Sequence, residues 1–350
     1  MTDRARRRLL GGLATLPLLP LAGCGGPEEA TEAGFAVFGQ VWTLRFVATP
    51  AERINAAVDA AEGIVEPLYR RLHPWKDSEL TRLNRQLAEN GEAVASDEIR
   101  ELVEIARPIF RASGGRFDPT IGQLIAMWGF HAGAGAEPPA PPAEAELEAW
   151  LDQAPSLDDV HVDGNRLRAT NRRVQLDFNA LAEGYAAGRV LDAVERLGVT
   201  NCLLDTGGDL FTLGSAGPRS WRLGIRDPRD GSWPLGGVMA SGRRALCSSG
   251  DYERRLEYRG KSWGHIIDPL TARPAEVNMG TTVLADRPAL ADGAATALML
   301  ASPPQAGRLV RELDLHGALL VSEAGELWRD PGMAAKMVEL GAGQDRWQTF

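Results

Sequence analysis

The sequence predicts an α+β fold, in which antiparallel or mixed sheets are flanked by helices. Apolar segments at 160–162 and 167–169 enclose Asp163-Gly164-Asn165, the pattern of a β-hairpin with an Asp-Gly turn. Only four or five segments have helical spacing, and no repeat of fixed period is present. Hairpin strands combined with few helices favour α+β over a doubly wound parallel sheet.

The first half of the chain predicts one strand and two helices. Residues 35–49 alternate apolar and polar side chains, which indicates a strand. Pro50 then opens a helix whose apolar residues recur at helical spacing. A second helix is predicted over 96–112, kinked at Pro108 and ended by Gly114-Gly115.

The second half continues with shorter elements. Residues 144–153 predict a short helix. Further strands are predicted near 174–178, 201–205, 221–225, 237–241 and 281–285, and helices near 181–197 and 289–301.

Composition excludes several classes of protein. The chain has 350 residues, of which 44% are hydrophobic, and its 38 basic and 47 acidic side chains leave a net charge of −9. We therefore expect no nucleic-acid partner, because no broad basic surface is available. Three cysteines exclude a disulfide scaffold and a four-cysteine zinc module. The HExxH, GxSxG and GxxxxGK[ST] motifs are missing from the sequence, and no glycine-rich loop lies between a strand and a helix.

The N-terminus has the pattern of a bacterial lipoprotein signal. Arginines 4, 6, 7 and 8 precede a short apolar segment at 9–21, and Leu21-Ala22-Gly23-Cys24 matches a lipobox. We expect a signal peptide over 1–23, lipidation of Cys24, a tether over 24–34 and a single domain over 35–350. Export by the twin-arginine or the general route stays open. A proline-rich stretch at 132–143 is interpreted as a surface insertion, with a domain boundary as the alternative.

Glycine-punctuated polar clusters are the candidate functional segments. They are Asp77–Asn84, Gly114–Gly122, Leu176–Tyr185, Asp205–Asp209 and Ala291–Leu298. A purely structural role, as the start of a helix, could account for the first cluster, because Ser78 suits a helix N-cap. The third predicts a strand that leads into a helix, whose first N–H groups could bind an anion such as a diphosphate.

The last cluster contains the sharpest chemical signal. Asp292 and Thr296 are four residues apart on a predicted helix and therefore share one face. A carboxylate and a hydroxyl form a hard-oxygen pair suited to Mg²⁺. The alternative is that Asp292 stabilises a helix start while Thr296 bonds back to the backbone.

Taken in order, these motifs resemble the FAD:protein FMN transferase (ApbE) family. The matching segments are residues 39–46, DSELTRLN (77–84), GGRFDPTIGQL (114–124), LDFNALAEGYAAG (176–188), DTGGDL (205–210), SSGDYERR (248–255), GHIIDP (264–269) and ADGAATAL (291–298). The resemblance implies an ApbE-like α+β fold with a flavin site between its two halves. It also implies that Asp292 and Thr296 are catalytic residues that bind Mg²⁺ together with the carbonyl of Ala180. The implied flavin-contacting positions are Phe38, Trp75, Arg116, Phe117, Asp118, Asp177, Glu183, His265 and Ile266.

One of these positions departs from the family pattern. The family has a lysine facing the diphosphate where this chain has Glu183. A carboxylate there repels phosphate oxygens unless a cation lies between them.

The activity implied is Mg²⁺-dependent transfer of FMN from FAD to a Thr or Ser hydroxyl of an exported acceptor protein, with release of AMP. The implied acceptor is a flavoprotein subunit of a respiratory or electron-transport complex. The implied location is the periplasmic face of the inner membrane, through a lipid anchor, with the outer membrane as an alternative. Two other activities stay open: an FAD pyrophosphatase and a non-catalytic flavin-binding lipoprotein.

Overall fold

The computed structural model describes residues 30–37, 40–131, 140–229, 234–251, 255–339 and 346–350. Its helices are α1 (Ala51–Leu72), α2 (Glu79–Asn90), α3 (Asp97–Ser113), α4 (Gly122–Met127), α5 (Glu144–Leu151), α6 (Asn179–Arg196), α7 (Pro288–Met299), α8 (Pro303–Glu312) and α9 (Pro331–Lys336). The α+β prediction is confirmed.

The strands are short and mostly follow one another in hairpins. They are β1 (Thr31–Val37), β2 (Gln40–Phe46), β3 (Glu92–Val94), β4 (Val160–Asp163), β5 (Arg166–Ala169), β6 (Cys202–Asp205), β7 (Leu210–Leu213), β8 (Trp221–Arg226), β9 (Pro234–Ala240), β10 (Arg244–Gly250), β11 (Arg255–Tyr258), β12 (Lys261–Gly264), β13 (Ile267–Asp268), β14 (Arg273–Pro274), β15 (Asn278–Ala285), β16 (Gly317–Ser322), β17 (Leu327–Arg329), β18 (Met337–Glu339) and β19 (Trp347–Thr349).

A nine-stranded sheet organises the molecule, in the order β1-β2-β6-β7-β10-β15-β16-β17-β19. Its neighbouring strands are antiparallel except for β17 and β19, which run parallel. Two three-stranded sheets, β18-β9-β8 and β3-β5-β4, and the ladders β11-β12 and β13-β14 complete the described strands.

The large sheet is covered on both faces. On β10, Cys247 belongs to the main core, which joins the sheet to helices α1, α3, α6 and α7. The preceding residue, Leu246, belongs to a second core that contains Trp221 and Val238 of the β18-β9-β8 sheet. Because successive residues of a strand point to opposite faces, β10 separates these two layers. The polar clusters with Glu183 and Asp292 therefore lie on the helical side of the sheet.

Several sequence predictions are confirmed, with boundaries shifted by a few residues. The hairpin of β4 and β5 forms as expected, with Gly164 at a φ of +59° in its turn. Ser78 caps α2, since its side-chain oxygen accepts a hydrogen bond from the backbone N–H of Thr81. The two helices predicted near 181–197 and 289–301 are α6 and α7.

Other predictions were wrong. The single strand over 35–49 is two antiparallel strands, β1 and β2, whose side-chain alternation continues through the hairpin and hides it. β1 also begins at Thr31, inside the predicted tether. Residues 174–178 form no strand; only Gln175 makes an isolated bridge, to Ile121. A buried apolar segment resembles a strand in sequence even when its backbone bonds to loops.

Cys24, Phe38 and residues 132–139 of the proline-rich insertion lie outside the described residues. Among the helices that are described, none combines the length and the apolar character needed to cross a bilayer.

Candidate active site

The polar face of α7 is the centre of the candidate site. Every residue of this helix is buried except Asp292 and Thr296, which are half-buried. The two side chains are one turn apart and so open on the same side of the helix. A helix otherwise inside the core thus presents one carboxylate and one hydroxyl.

Asp292 is held by the neighbouring helix α6. Its Oδ2 accepts a hydrogen bond of 2.9 Å from the backbone N–H of Gly184. In an α-helix that N–H points toward the carbonyl four residues earlier, which belongs to Ala180. The carboxylate of Asp292 therefore lies beside the Ala180 carbonyl. Asp292 is the fifth residue of α7 and lies outside its first turn, so it does not stabilise the start of this helix. The other half of that alternative is observed, because the Thr296 hydroxyl bonds back to the carbonyl of Asp292.

Thr296 is held from the sheet side. Its Oγ1 lies 3.3 Å from Oγ of Ser249 on β10 and 3.5 Å from the carbonyl oxygen of Asp292. Thr281 of β15 donates a hydrogen bond of 2.8 Å to the carbonyl of Ala295, one residue away. These bonds fix the rotation of α7 against the sheet.

The oxygen atoms on this face suit a hard divalent cation as ligands. The Ala180 carbonyl, the Asp292 carboxylate and the Thr296 hydroxyl are the kinds of oxygen that Mg²⁺ prefers. The described part of the chain holds no group of three or more His, Cys, Asp or Glu side chains suited to a metal. A cation at Asp292 would therefore take only part of its oxygens from the protein, leaving positions for water and a substrate phosphate.

Two further carboxylates make the site more negative. Glu183 Oε1 accepts a hydrogen bond of 2.6 Å from Oγ1 of buried Thr206. Asp209 Oδ1 accepts one of 2.8 Å from the backbone N–H of Ser248. Burial, followed by the charges of Asp209, Asp292 and Glu183, raises the pKa of the Cys247 thiol well above its ordinary value. The negative charges of all three carboxylates therefore act on one buried thiol.

Sequence reasoning placed Thr206 and Asp209 in a candidate segment and Ser249 in a matching motif, but it assigned none of the three a role in the site. Their motifs were visible as DTGGD and SSGD, at the ends of β6 and β10. Strand order in the large sheet is what brings these ends together beneath α6 and α7.

The expectation of free N–H groups at the start of α6 was wrong. The N–H of Asn179 bonds to Asp177 Oδ1 at 2.8 Å, and those of Leu181 and Ala182 both bond to the carbonyl of Phe178 at 2.8 Å. The buried carboxylate of Asp177 and the carbonyl of Phe178 accept these N–H groups, so few donors are left for a diphosphate.

The segment 116–118 is divided between surface and core. Arg116 Nε lies 3.4 Å from Oδ2 of Asp268. Phe117 is buried, and its ring would lie 3.3 Å from a Cβ added at Gly293 of α7. The carboxylate of Asp118 accepts bonds from the N–H and Oγ1 of Thr120, at 2.9 and 2.6 Å, and from the N–H of Leu157 at 3.1 Å. Burial raises the pKa of Asp118 to about 6.

The remaining candidate positions lie at the end of α7 and between α1 and α2. Ile266 is buried in a small cluster with Met299 and Leu300 at the end of α7, and the half-buried His265 precedes it. Trp75 lies between α1 and α2, with its ring centroid 5.5 Å from that of His131. The structure thus brings Ala180, Glu183, Asp292 and Thr296 together, with Phe117 and Ile266 packed along the same helix.

Known proteins share both the sequence and the fold of this chain. The ApbE family model matches residues 38–320. The FAD:protein FMN transferase of Rhodobacter capsulatus is 31% identical over 346 residues; the match covers 97% of this chain but only 65% of that protein's length. The FAD:protein FMN transferase of Vibrio cholerae serotype O1 is 26% identical over 325 residues, covering 91% of this chain and 95% of that protein.

A solved structure has the same fold. The crystal structure of the ApbE protein of Thermotoga maritima superposes with a TM-score of 0.78 at 23% identity, covering 89% of this chain and 100% of that one. By the family model and the 31% identical relative, the chain belongs to the ApbE family.

Proposed function

We propose that this chain transfers FMN from FAD to a Thr or Ser hydroxyl of an acceptor protein, with release of AMP. The observation that carries the proposal is the half-buried Asp292–Thr296 face of α7, whose carboxylate accepts the backbone N–H of Gly184 on α6. These residues fit Mg²⁺, and the curated relatives are named for this reaction.

The negative charge of the site supports a need for a cation. The charges of Asp209, Asp292 and Glu183 all raise the pKa of the buried Cys247 thiol, so each carboxylate adds negative potential to this region. An FAD diphosphate entering this region is repelled unless positive charge intervenes. Mg²⁺, when bound, would neutralise the diphosphate and make AMP a better leaving group.

The chain's own residues would then position the reactants. Asp292 would supply the charge that holds the cation, while the Thr296 hydroxyl and the Ala180 carbonyl would provide further oxygen ligands. The acceptor hydroxyl oxygen forms a bond to the FMN-side phosphorus, the bond from that phosphorus to the AMP oxygen breaks, and the hydroxyl proton is released. Placement and charge stabilisation supply most of the acceleration in such phosphoryl transfers.

The test is to incubate the purified protein with FAD, with and without Mg²⁺ and a candidate acceptor. AMP release that requires the acceptor, together with acceptor-bound flavin fluorescence after denaturation, supports the transferase. AMP release without acceptor flavinylation supports the FAD pyrophosphatase instead. Flavin binding with no AMP release would indicate a flavin-binding lipoprotein, an alternative that gives the Asp292–Thr296 pair no role.

We also propose that the protein is an exported lipoprotein, anchored through Cys24 at the periplasmic face of the inner membrane, with outer-membrane sorting as the alternative. Its acceptor would be an exported flavoprotein subunit of a respiratory or electron-transport complex. The lipobox at 21–24 and the preceding basic and apolar segments support the anchor.

A further inference from the structure

Asn84 makes a paired contact with a distant backbone segment. It is the last residue of the DSELTRLN motif, lies on α2 and is 8% exposed. Its Oδ1 accepts a hydrogen bond of 2.9 Å from the N–H of Leu176, and its Nδ2 donates one of 2.9 Å to the carbonyl of the same residue. One side-chain amide thus satisfies both polar groups of Leu176, as a neighbouring strand would.

The other edge of this segment bonds to the loop before α4. Gln175 N–H donates to the carbonyl of Thr120 at 3.1 Å, and Asp177 N–H donates to that of Pro119 at 2.8 Å. Because Leu176 is fully buried, its backbone groups need partners inside the protein. Asn84 supplies those partners on the side opposite this loop.

The segment leads directly to the candidate site. Asp177 accepts the Asn179 N–H at the first turn of α6, and Ala180 follows. Asn84 is itself held firmly, since α2 is capped by Ser78 and buries Leu80 and Leu87. A continuous series of hydrogen bonds and chain neighbours therefore links α2, through Leu176 and Asp177, to the first turn of α6.

We propose that Asn84 is a positioning residue for the reaction: by pairing with Leu176 it sets where the first turn of α6 presents the Ala180 carbonyl to Asp292. This inference rests on the proposed function, because it assigns Ala180 and Asp292 to one Mg²⁺ site. Mg²⁺ demands near-ideal octahedral geometry, so a small displacement of one oxygen weakens its binding.

Two substitutions test the pairing. Asn84→Asp keeps the shape and the acceptor for Leu176 N–H but turns a carboxylate oxygen toward the Leu176 carbonyl. Asn84→Ala removes both bonds. Asn90→Asp, the same chemical change at an exposed position of the same helix, is the matched control.

The measurements are calorimetric Mg²⁺ affinity in the presence of FAD, the Mg²⁺ dependence of AMP release, the melting temperature, and hydrogen exchange over residues 174–184. Asn84→Asp should weaken Mg²⁺ binding about tenfold, the size typical of supports behind a metal ligand. AMP release should recover at high Mg²⁺, and hydrogen exchange over 174–184 should quicken. Asn90→Asp should leave all of these unchanged.

A folded Asn84→Asp variant with wild-type Mg²⁺ affinity would overturn the inference, even if its melting temperature fell, because that result describes a purely structural residue. If Asn84→Asp does not fold, the Mg²⁺ affinity of Asn84→Ala decides by the same criterion. A wild-type protein that binds no Mg²⁺ and releases no AMP would overturn the proposed function instead. Hydrogen exchange would then still decide whether Asn84 holds the segment before α6.

Discussion

At the scale of single residues, one hydrogen bond shows that Asp292 does not stabilise the start of its own helix. A carboxylate that merely stabilises a helix start lies in the first turn and bonds to its own helix. Asp292 lies in the second turn and accepts the N–H of Gly184, on another helix. Its negative charge therefore lies between α6 and α7.

Asp292→Asn should abolish Mg²⁺-dependent AMP release and leave the protein folded. The amide keeps the size of the side chain and an acceptor for Gly184 N–H but removes the charge that holds the cation. Thr296→Ala should reduce the rate less, because water can replace a neutral hydroxyl ligand. Turnover against Mg²⁺ concentration and melting temperature are measured on one preparation, with the exposed Asp152→Asn as control. Normal turnover of Asp292→Asn would refute the metal assignment.

Glu183→Lys should tighten FAD binding at low Mg²⁺ and have a smaller effect at saturating Mg²⁺. Removing a carboxylate and adding an ammonium near the diphosphate reduces the repulsion that the cation otherwise offsets. We expect about 1 kcal/mol, because the half-buried side chain is partly screened by water.

Glu183→Gln is the matched variant, since its amide oxygen can still accept the Thr206 hydroxyl. FAD is titrated at two Mg²⁺ concentrations for all three proteins. An equal change at both concentrations would mean that residue 183 does not face the diphosphate.

At the scale of elements, small residues allow α6 and α7 to approach closely. A Cβ added at Gly184 would lie 2.6 Å from the carbonyl oxygen of Pro288 and 2.7 Å from Cβ of Asp292. One added at Gly293 would lie 2.6 Å from atoms of Ile109 and Leu181. The contact between Gly184 N–H and Asp292 depends on this close approach.

Gly184→Ala should destabilise the protein by about 1–3 kcal/mol, the usual cost of overpacking a core, and should weaken Mg²⁺-dependent turnover. Gly188→Ala is the control one turn later on α6, where the added Cβ would meet only Pro288 atoms at 3.6 Å or more. That variant should be neutral or gain about 0.5–1 kcal/mol from helix propensity. Denaturant unfolding of both variants tests this; equal stabilities would argue against tight packing at Gly184.

The loop of Asp118 should make stability depend on pH. Because burial raises the pKa of Asp118 to about 6, the folded protein retains a proton that the unfolded chain releases at lower pH. This contribution to stability is complete below about pH 4 and lost as the pH rises through about 6. Relative to wild type, Asp118→Asn should gain up to about 3 kcal/mol between about pH 4 and pH 7.

Urea unfolding across this pH range checks the prediction, with the exposed Asp152→Asn as control. If the stability of Asp118→Asn relative to wild type stays constant across the range, Asp118 does not titrate in this way.

At the scale of the whole molecule, the helical layer, the nine-stranded sheet and the three-stranded β18-β9-β8 sheet build the scaffold, while the N-terminal segment is expected to determine location. Cys24→Ala should yield a precursor that is neither cleaved nor lipidated at that position, because only the thiol of Cys24 lies in the lipobox. Cys202→Ala is the control, since Cys202 is buried in β6 and burial raises its pKa to about 12. Mass spectrometry of an unmodified, uncleaved wild type would refute the lipoprotein proposal.

Much of the architecture was predictable, and the errors have physical causes. The amphipathic α1, α3 and α6 and the Asp-Gly hairpin of β4 and β5 depend on local spacing, so their existence was predicted. Short buried strands such as β7 and β16 carry no alternation and were missed. The segment at Leu176 has strand-like residues, yet its partners are a side chain and a loop.

The sequence by itself determined the α+β class, the helices α1, α3, α5, α6 and α7 and the pairing of Asp292 with Thr296, because each depends on residues within a few positions of one another. The short helices α4, α8 and α9 were not predicted. Tertiary structure alone decided that Gly184 meets Asp292 across 108 residues, that Glu183 accepts the hydroxyl of Thr206, and that Asn84 supports Leu176. A hydrogen bond requires two atoms within about 3 Å, and between distant segments that proximity is set by sheet order and helix packing rather than by any local pattern.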